Sequence, residues 1–130
     1  MAIISTYAAG LGLWLLATPF LVSGLSKTLD FHSAIMEMRA AKLRPPRLMA
    51  LLVIAIQLGG GLMLVFGVWQ IPAALVLAGF TLAASMIGHR FWKQPRGIKR
   101  AHHLNAFLAN VGLIGGLVIV ISMAVRAHGL

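Results

Sequence analysis

The sequence predicts an all-α integral membrane protein: a four-transmembrane-helix up-down bundle with a short amphipathic cytoplasmic helix between the first and second spans. Three observations predict it. Of 130 residues, 60% are hydrophobic and only 10% charged, against about a quarter charged in a soluble domain. The mean hydropathy is +0.94. The uncharged residues also fall into four long runs separated by basic or turn-forming stretches.

A helical span needs about 20 mostly apolar residues, because the hydrocarbon core is about 30 Å thick and a helix rises about 1.5 Å per residue. The runs predict spans over about 7–25, 48–66, 72–92 and 104–125, all within one domain over 1–130. The third run is uncharged only as far as Gly88, and His89 to Trp92 extend it into the interface. The first run lacks a basic leader and a small-residue cleavage site, so it reads as a retained span, not a signal peptide.

After the first span, "DFHSAIMEMRAAKL" sets Phe31, Ile35 and Met38 at helical spacing with His32, Arg39 and Lys42 on other faces. Asp30 is suited to cap this helix, and Pro45-Pro46 to end it. Its amphipathic pattern suits a helix lying on the inner membrane surface, with a solvated connector as the alternative. The "GVWQIP" stretch (67–72) reads as a tight turn, Gly67 closing one helix and Pro72 opening the next. Trp69 suits the interfacial aromatic belt. Small residues four apart (Ala8/Gly12, Ala55/Gly59, Gly79/Ala83 and Gly112/Gly116) are spaced for close helix approach in lipid.

Charge orients the spans. Lys27, Arg39, Lys42, Arg44 and Arg47 lie in one connection, and Arg90, Lys93, Arg96, Lys99 and Arg100 in another. Four spans put these ten side chains on one face, against Arg126 on the other. The positive-inside rule then predicts cytoplasmic loops, both termini outside, and a bacterial-type inner (cell) membrane location. The same clusters suit anionic lipid headgroups. A nucleic-acid binder would instead need a soluble scaffold to present a basic face. Without cysteine there is no disulfide or thiolate chemistry. No Walker loop, dinucleotide fingerprint, H-E-x-x-H or G-x-S-x-G is present. Asp30 and Glu37, the two acidic residues, share one loop, which leaves little for paired-carboxylate catalysis. His102 and His103 are adjacent and diverge on a helix, so no metal site is expected.

Polar groups inside spans are few, and each carries information. Ser23 and Lys27 are four apart at the end of the first span, and Ser85 and His89 are four apart on the third. Gln57 lies mid-way along the second, and Asn110 in the first half of the fourth. The candidate ligand-binding residues are therefore Ser23, Lys27, Gln57, Ser85, His89 and Asn110, converging on a cytoplasm-facing pocket with Gln57 as its floor. An imidazole is the one side chain among these that titrates near neutrality, which makes His89 the candidate proton donor. Against this stand simpler roles: Lys27 snorkelling into headgroups, Gln57 and Asn110 joining helices, and His89 as an interfacial residue.

The segments "FLVSGLSKTLDF", "PPRLMALLVIAIQLGGGLMLVFG", "PAALVLAGFTLAASMIGHRFW" and "NAFLANVGLIGGLVIV" occur in this order over most of the chain. In this the sequence resembles the DoxX family of small four-span membrane proteins, most specifically through F-x-x-S-G-x-x-K (Phe20 to Lys27). The resemblance implies a link to redox metabolism, since some members look like membrane subunits of quinone-reducing, sulfur-oxidising enzymes. Lys27 and His89 match the family pattern. The chain departs from it where the family often has an arginine (here near Leu13 or Trp14) and a glutamate (here Gln57). Losing both keeps the bundle neutral but removes an obvious proton carrier, because glutamine does not titrate.

The resemblance thus implies a membrane subunit or accessory protein of a redox system that binds a quinone-like ligand, with a soluble or membrane redox partner or a second copy of the chain. Any catalysis would belong to the quinone-linked oxidoreductase, not to this chain alone. The alternative is a non-catalytic anchor or assembly partner for soluble proteins through its basic loops. A transporter would need an inverted repeat or broken helix, and neither is evident.

Overall fold

A computed structural model describes residues 2–88 and 95–129. The expectations for His89 and for the interfacial extension to Trp92 lie outside the described residues. Five helices follow in order: α1 (Ala2–Leu29), α2 (Phe31–Ala40), α3 (Pro46–Phe66), α4 (Gln70–Gly88) and α5 (Ile98–Ala127). All but α2 are long and apolar enough to cross a membrane, and the chain is an all-α membrane protein.

The side-chain distribution is that of a bundle made for lipid. Large apolar residues such as Leu11, Trp14, Leu15, Leu51, Leu75, Leu82, Val111 and Ile119 are exposed. Small residues, among them Ala17, Ala50, Ala73 and Ala74, make up much of the interior, and Ala73 and Ala74 pack with Phe20, Leu64, Leu77 and Leu117. In lipid the tails solvate leucine as well as a protein core does, so association depends on close contact between small-residue faces.

The faces that make contact are not those the four-residue spacing suggested. Added Cβ atoms at Gly12, Gly59, Gly79 and Gly112 would meet nothing within 4 Å. The close approaches are at Gly24 on Leu58, Gly60 on Leu77, Gly61 on Leu21 and Gly116 on Leu16. Spacing finds a stripe but not the direction in which it points. Of the expected pairs, only Gly116 marks such a contact.

Three seams hold the spans together: α1 on α3, α3 on α4, and α4 on α5. Helices α1 and α5 meet only briefly, where a Cβ at Gly116 would lie 3.0 Å from Leu16 Cδ1. On one side of this meeting point lies a groove of about 470 Å³ lined by Gly12, Leu13, Ile119 and Met123. On the other side, toward the basic connections, lies a larger cavity.

Helix α2 follows α1 after Asp30 alone. Its apolar side packs on α3, with Ala34 and Met38 buried against Ala50 and ringed by Phe31, Ile35, Met49 and Val53. Arg47 Cζ sits 5.9 Å from the centroid of the Phe31 ring, within cation–π range. The expected cap is present: Asp30 accepts from the Ser33 hydroxyl at 2.7 Å and from the Ser33 N–H at 3.3 Å.

These bonds, the hydroxyl's first, hold the Asp30 carboxyl below its ordinary value, and His32 adds to the effect. A lowered carboxyl pKa stabilises the folded state above the unfolded value, and the contribution is lost as pH falls through the folded one. Helix α2 is expected to fray as acid titrates Asp30, and Ser33→Ala to move that titration upward. An NMR titration of the carboxyl reads both effects.

Pro45-Pro46 do not end α2. It ends at Ala40, where Lys42 turns left-handed (φ +61°) and Leu43 N–H donates to the Met38 carbonyl at 3.0 Å. Pro46 is the first residue of α3, where its missing N–H costs no helix bond. Gly67, at φ +71°, closes α3, and Val68 N–H returns to the Met63 carbonyl at 3.0 Å. Gln70 Nε2 donates to the Leu64 carbonyl at 3.0 Å, so the turn satisfies two of the carbonyls that the end of α3 leaves open, Met63 and Leu64.

Candidate ligand-binding cavity

The cavity toward the basic connections has a volume of about 930 Å³, and residues of all five helices line it. Helix α1 supplies Pro19, Phe20, Ser23 and Lys27, one face of the helix taken at three- and four-residue steps. Pro19 has no N–H to give to the Leu15 carbonyl. Part of the rim comes from α2, through Glu37 and Met38.

Lys27 is folded inward. Its Nζ donates to Ser23 Oγ at 2.7 Å and lies 3.9 Å from Glu37 Oε2. The lysine side chain is only 17% exposed and the glutamate 59%. A snorkelling lysine would extend away from the bundle. This one turns back along its own helix and lies against the cavity.

Gln57 is on α3, about three turns from Pro46 and packed beside Gly24 of α1. It is buried, 6% exposed, and its Oε1 has no hydrogen-bond partner. A buried polar atom without a partner is uncommon and costs stability. Gln57 borders the cavity through other atoms of its side chain, while this oxygen is sealed in the protein. Beside it, Thr81 on α4 donates its hydroxyl to the Leu77 carbonyl at 2.7 Å. On α5, Asn110 Nδ2 donates to Ser85 Oγ at 2.8 Å.

Ser23, Lys27, Gln57 and Asn110 therefore line one cavity. Ser85 does not line it: it is buried behind Asn110 and fixes that amide through their hydrogen bond. Lys27 shares the cavity with Ile87 and Gly88 at the end of α4. Sequence reasoning missed Glu37 and Thr81. Thr81 is four residues before Ser85, so the spacing that paired Ser85 with His89 reaches it when extended one turn back. Among the described residues no three His, Asp or Glu side chains gather as a metal site would need.

A family model described as DoxX matches residues 10–90, more than half of the chain. The chain belongs to the DoxX family. The matched stretch includes Ser23, Lys27, Gln57, Ser85 and His89, while Asn110 lies beyond it. This DoxX chain is also 23% identical over 101 residues to the inner membrane protein YphA of Escherichia coli (strain K12), covering 78% of the chain and 71% of that relative. No solved structure matches it.

Proposed function

We propose that the chain is an integral inner-membrane subunit or accessory protein of a redox system, holding a quinone-like lipophilic ligand in the cavity at its basic end. The observation that carries this reading is the cavity itself: mostly apolar walls, an inward-turned lysine and a buried amide oxygen without a partner. Apolar walls with a few placed polar groups suit a lipophilic ring bearing oxygens. Membership of the DoxX family supports the redox context.

The other reading, an anchor that recruits soluble proteins through its basic loops, uses Arg39, Arg44 and Arg47 but gives Gln57 nothing to do. Purification in mild detergent, organic extraction and absorption spectroscopy test the choice. Recovery of a stoichiometric quinone supports the first reading, and an extract free of lipophilic chromophore supports the second.

The basic end faces the cytoplasm and both termini lie outside, by the ten-to-one distribution of Lys and Arg between the two faces. A C-terminal alkaline-phosphatase fusion is expected to be active, and a fusion within residues 95–99 inactive. The reverse pattern would overturn this orientation. The similarity to an inner membrane protein supports the location.

A further inference from the structure

The Lys27 ammonium has fewer partners than its charge calls for. Its side chain is largely buried, and a neutral oxygen, Ser23 Oγ, takes one of its three N–H bonds at 2.7 Å. The carboxylate beside it, Glu37 Oε2, stands 3.9 Å away, beyond the reach of a charge-assisted hydrogen bond. Glu37 is mostly exposed, so it gives up little on leaving the lysine for water. An ammonium in this position gains most from an anion that approaches to hydrogen-bond distance.

The surroundings suit an anion that carries a hydrocarbon chain. Ser23, Lys27 and Glu37 all line the cavity, and among its described lining residues no other side chain is charged. Phe20, Val53, Phe80 and Leu113 make the wall apolar beyond them. The lining reaches the bundle surface at Ala83, Ile87 and Gly88 of α4, which are exposed. That helix is apolar enough to cross a membrane, so the opening meets lipid. A volume of about 930 Å³ is that of a site for one small ligand, not for a two-chain lipid.

We infer that the cavity binds a single-chain amphiphile with a carboxylate head, and that Glu37 is the chain's own carboxylate in that place until the ligand displaces it. The head hydrogen-bonds Lys27 and the chain lies along the apolar wall. Arg39 and Lys42, exposed beside the lining residues Ala40 and Ala41, raise the local concentration of anions. The inference goes beyond the quinone-like reading and does not need it, since the two ligands would compete for one cavity.

The test uses the full chain in nanodiscs of zwitterionic lipid at about pH 8, where the carboxylate is ionised and lysine protonated. A long-chain carboxylate is compared with the primary alcohol of the same chain. The carboxylate is expected to bind about tenfold tighter, the difference between a charged and a neutral acceptor. Lys27→Met is expected to remove this preference. Glu37→Gln is expected to raise carboxylate affinity about threefold and leave the alcohol unchanged. Arg39→Gln, which removes a charge from the same end but not from the cavity wall, should keep the preference.

The alcohol comparison needs no variant, so it stands even if Lys27→Met folds poorly. Equal binding of acid and alcohol in the unaltered chain, or no binding of the acid, overturns the inference. A loss in Arg39→Gln as large as in Lys27→Met overturns it in favour of surface attraction. Phosphatidylserine in the disc competing as well as the free carboxylate overturns the single-chain ligand in favour of a lipid headgroup. Unchanged carboxylate affinity in Glu37→Gln overturns the role given to Glu37. Quinone recovery on extraction is a separate measurement, so either reading can fail while the other stands.

Discussion

Replacing Gly24 by leucine is expected to lower the stability of the bundle by about 2–3 kcal/mol, the upper range for forcing bulk into a packed interior. Gly24 is buried where α1 meets α3. Even a single Cβ there would lie 2.8 Å from Leu58 Cγ, 2.9 Å from Leu58 Cδ2 and 3.2 Å from Gln57 Cβ. The Leu58 branch can turn aside for a methyl group, so Gly24→Ala should cost less. Gln57 Cβ is fixed to the α3 backbone, and a leucine must push the helices apart to clear it. Gly59→Leu, the residue next to Leu58 but on another face of α3, is the control, because a Cβ there would meet nothing within 4 Å. Thermal unfolding in one detergent should show a large loss for Gly24→Leu and almost none for Gly59→Leu. Equal losses would mean that α1 and α3 do not pack along this face. The glycine in F-x-x-S-G-x-x-K thus has a packing reason: it brings Ser23 and Lys27 within one chamber of Gln57.

How far the sequence reveals such features depends on which physical signal carries them. The existence of four spans was legible because a long uncharged run has few other uses. Their ends were not. Helix α1 starts at Ala2 and α5 at Ile98, well before the apolar runs at 7 and 104. Lys99, Arg100, His102 and His103 continue α5 without belonging to its apolar run. Backbone hydrogen bonding carries a helix beyond the stretch assigned to lipid, through Ala2 to Thr6 in α1 and through basic residues in α5. The place of α2 was legible as a helix but not as a packed one, since its apolar face pairs with Ala50, Met49 and Val53 of α3 only in the folded bundle. In the cavity, Ser23, Lys27, Gln57 and Asn110 stood out as polar residues among apolar ones. Glu37 did not, because ten residues separate it from Lys27 in a basic loop. Its approach to the lysine exists only once α2 has folded back. Gln57 was legible as an inward-facing amide, but that its oxygen would lack a partner needed the positions of all four spans.

Replacing Lys27 by methionine is expected to abolish retention of the ligand while leaving the bundle folded. The two effects separate because they rest on interactions of different strength. The Lys27–Glu37 pair is 3.9 Å apart and the glutamate is 59% exposed, so losing it should cost well under about 1 kcal/mol. Methionine keeps the length and apolar body of the side chain, and Ser23 can return its hydroxyl to its own helix. A hydrogen bond from an ammonium to a ligand oxygen inside an apolar cavity is stronger, and its loss should lower affinity by about 10- to 100-fold. Lys27→Arg keeps the charge but replaces a compact ammonium by a planar fork whose donors lie elsewhere, so it should retain ligand weakly. The ratio of extracted ligand to protein, measured beside the unfolding midpoint, distinguishes the roles. Unchanged retention in Lys27→Met would make the lysine a membrane anchor whose inward turn serves only Ser23. A fall in retention at an unchanged midpoint would make it the group that holds the ligand.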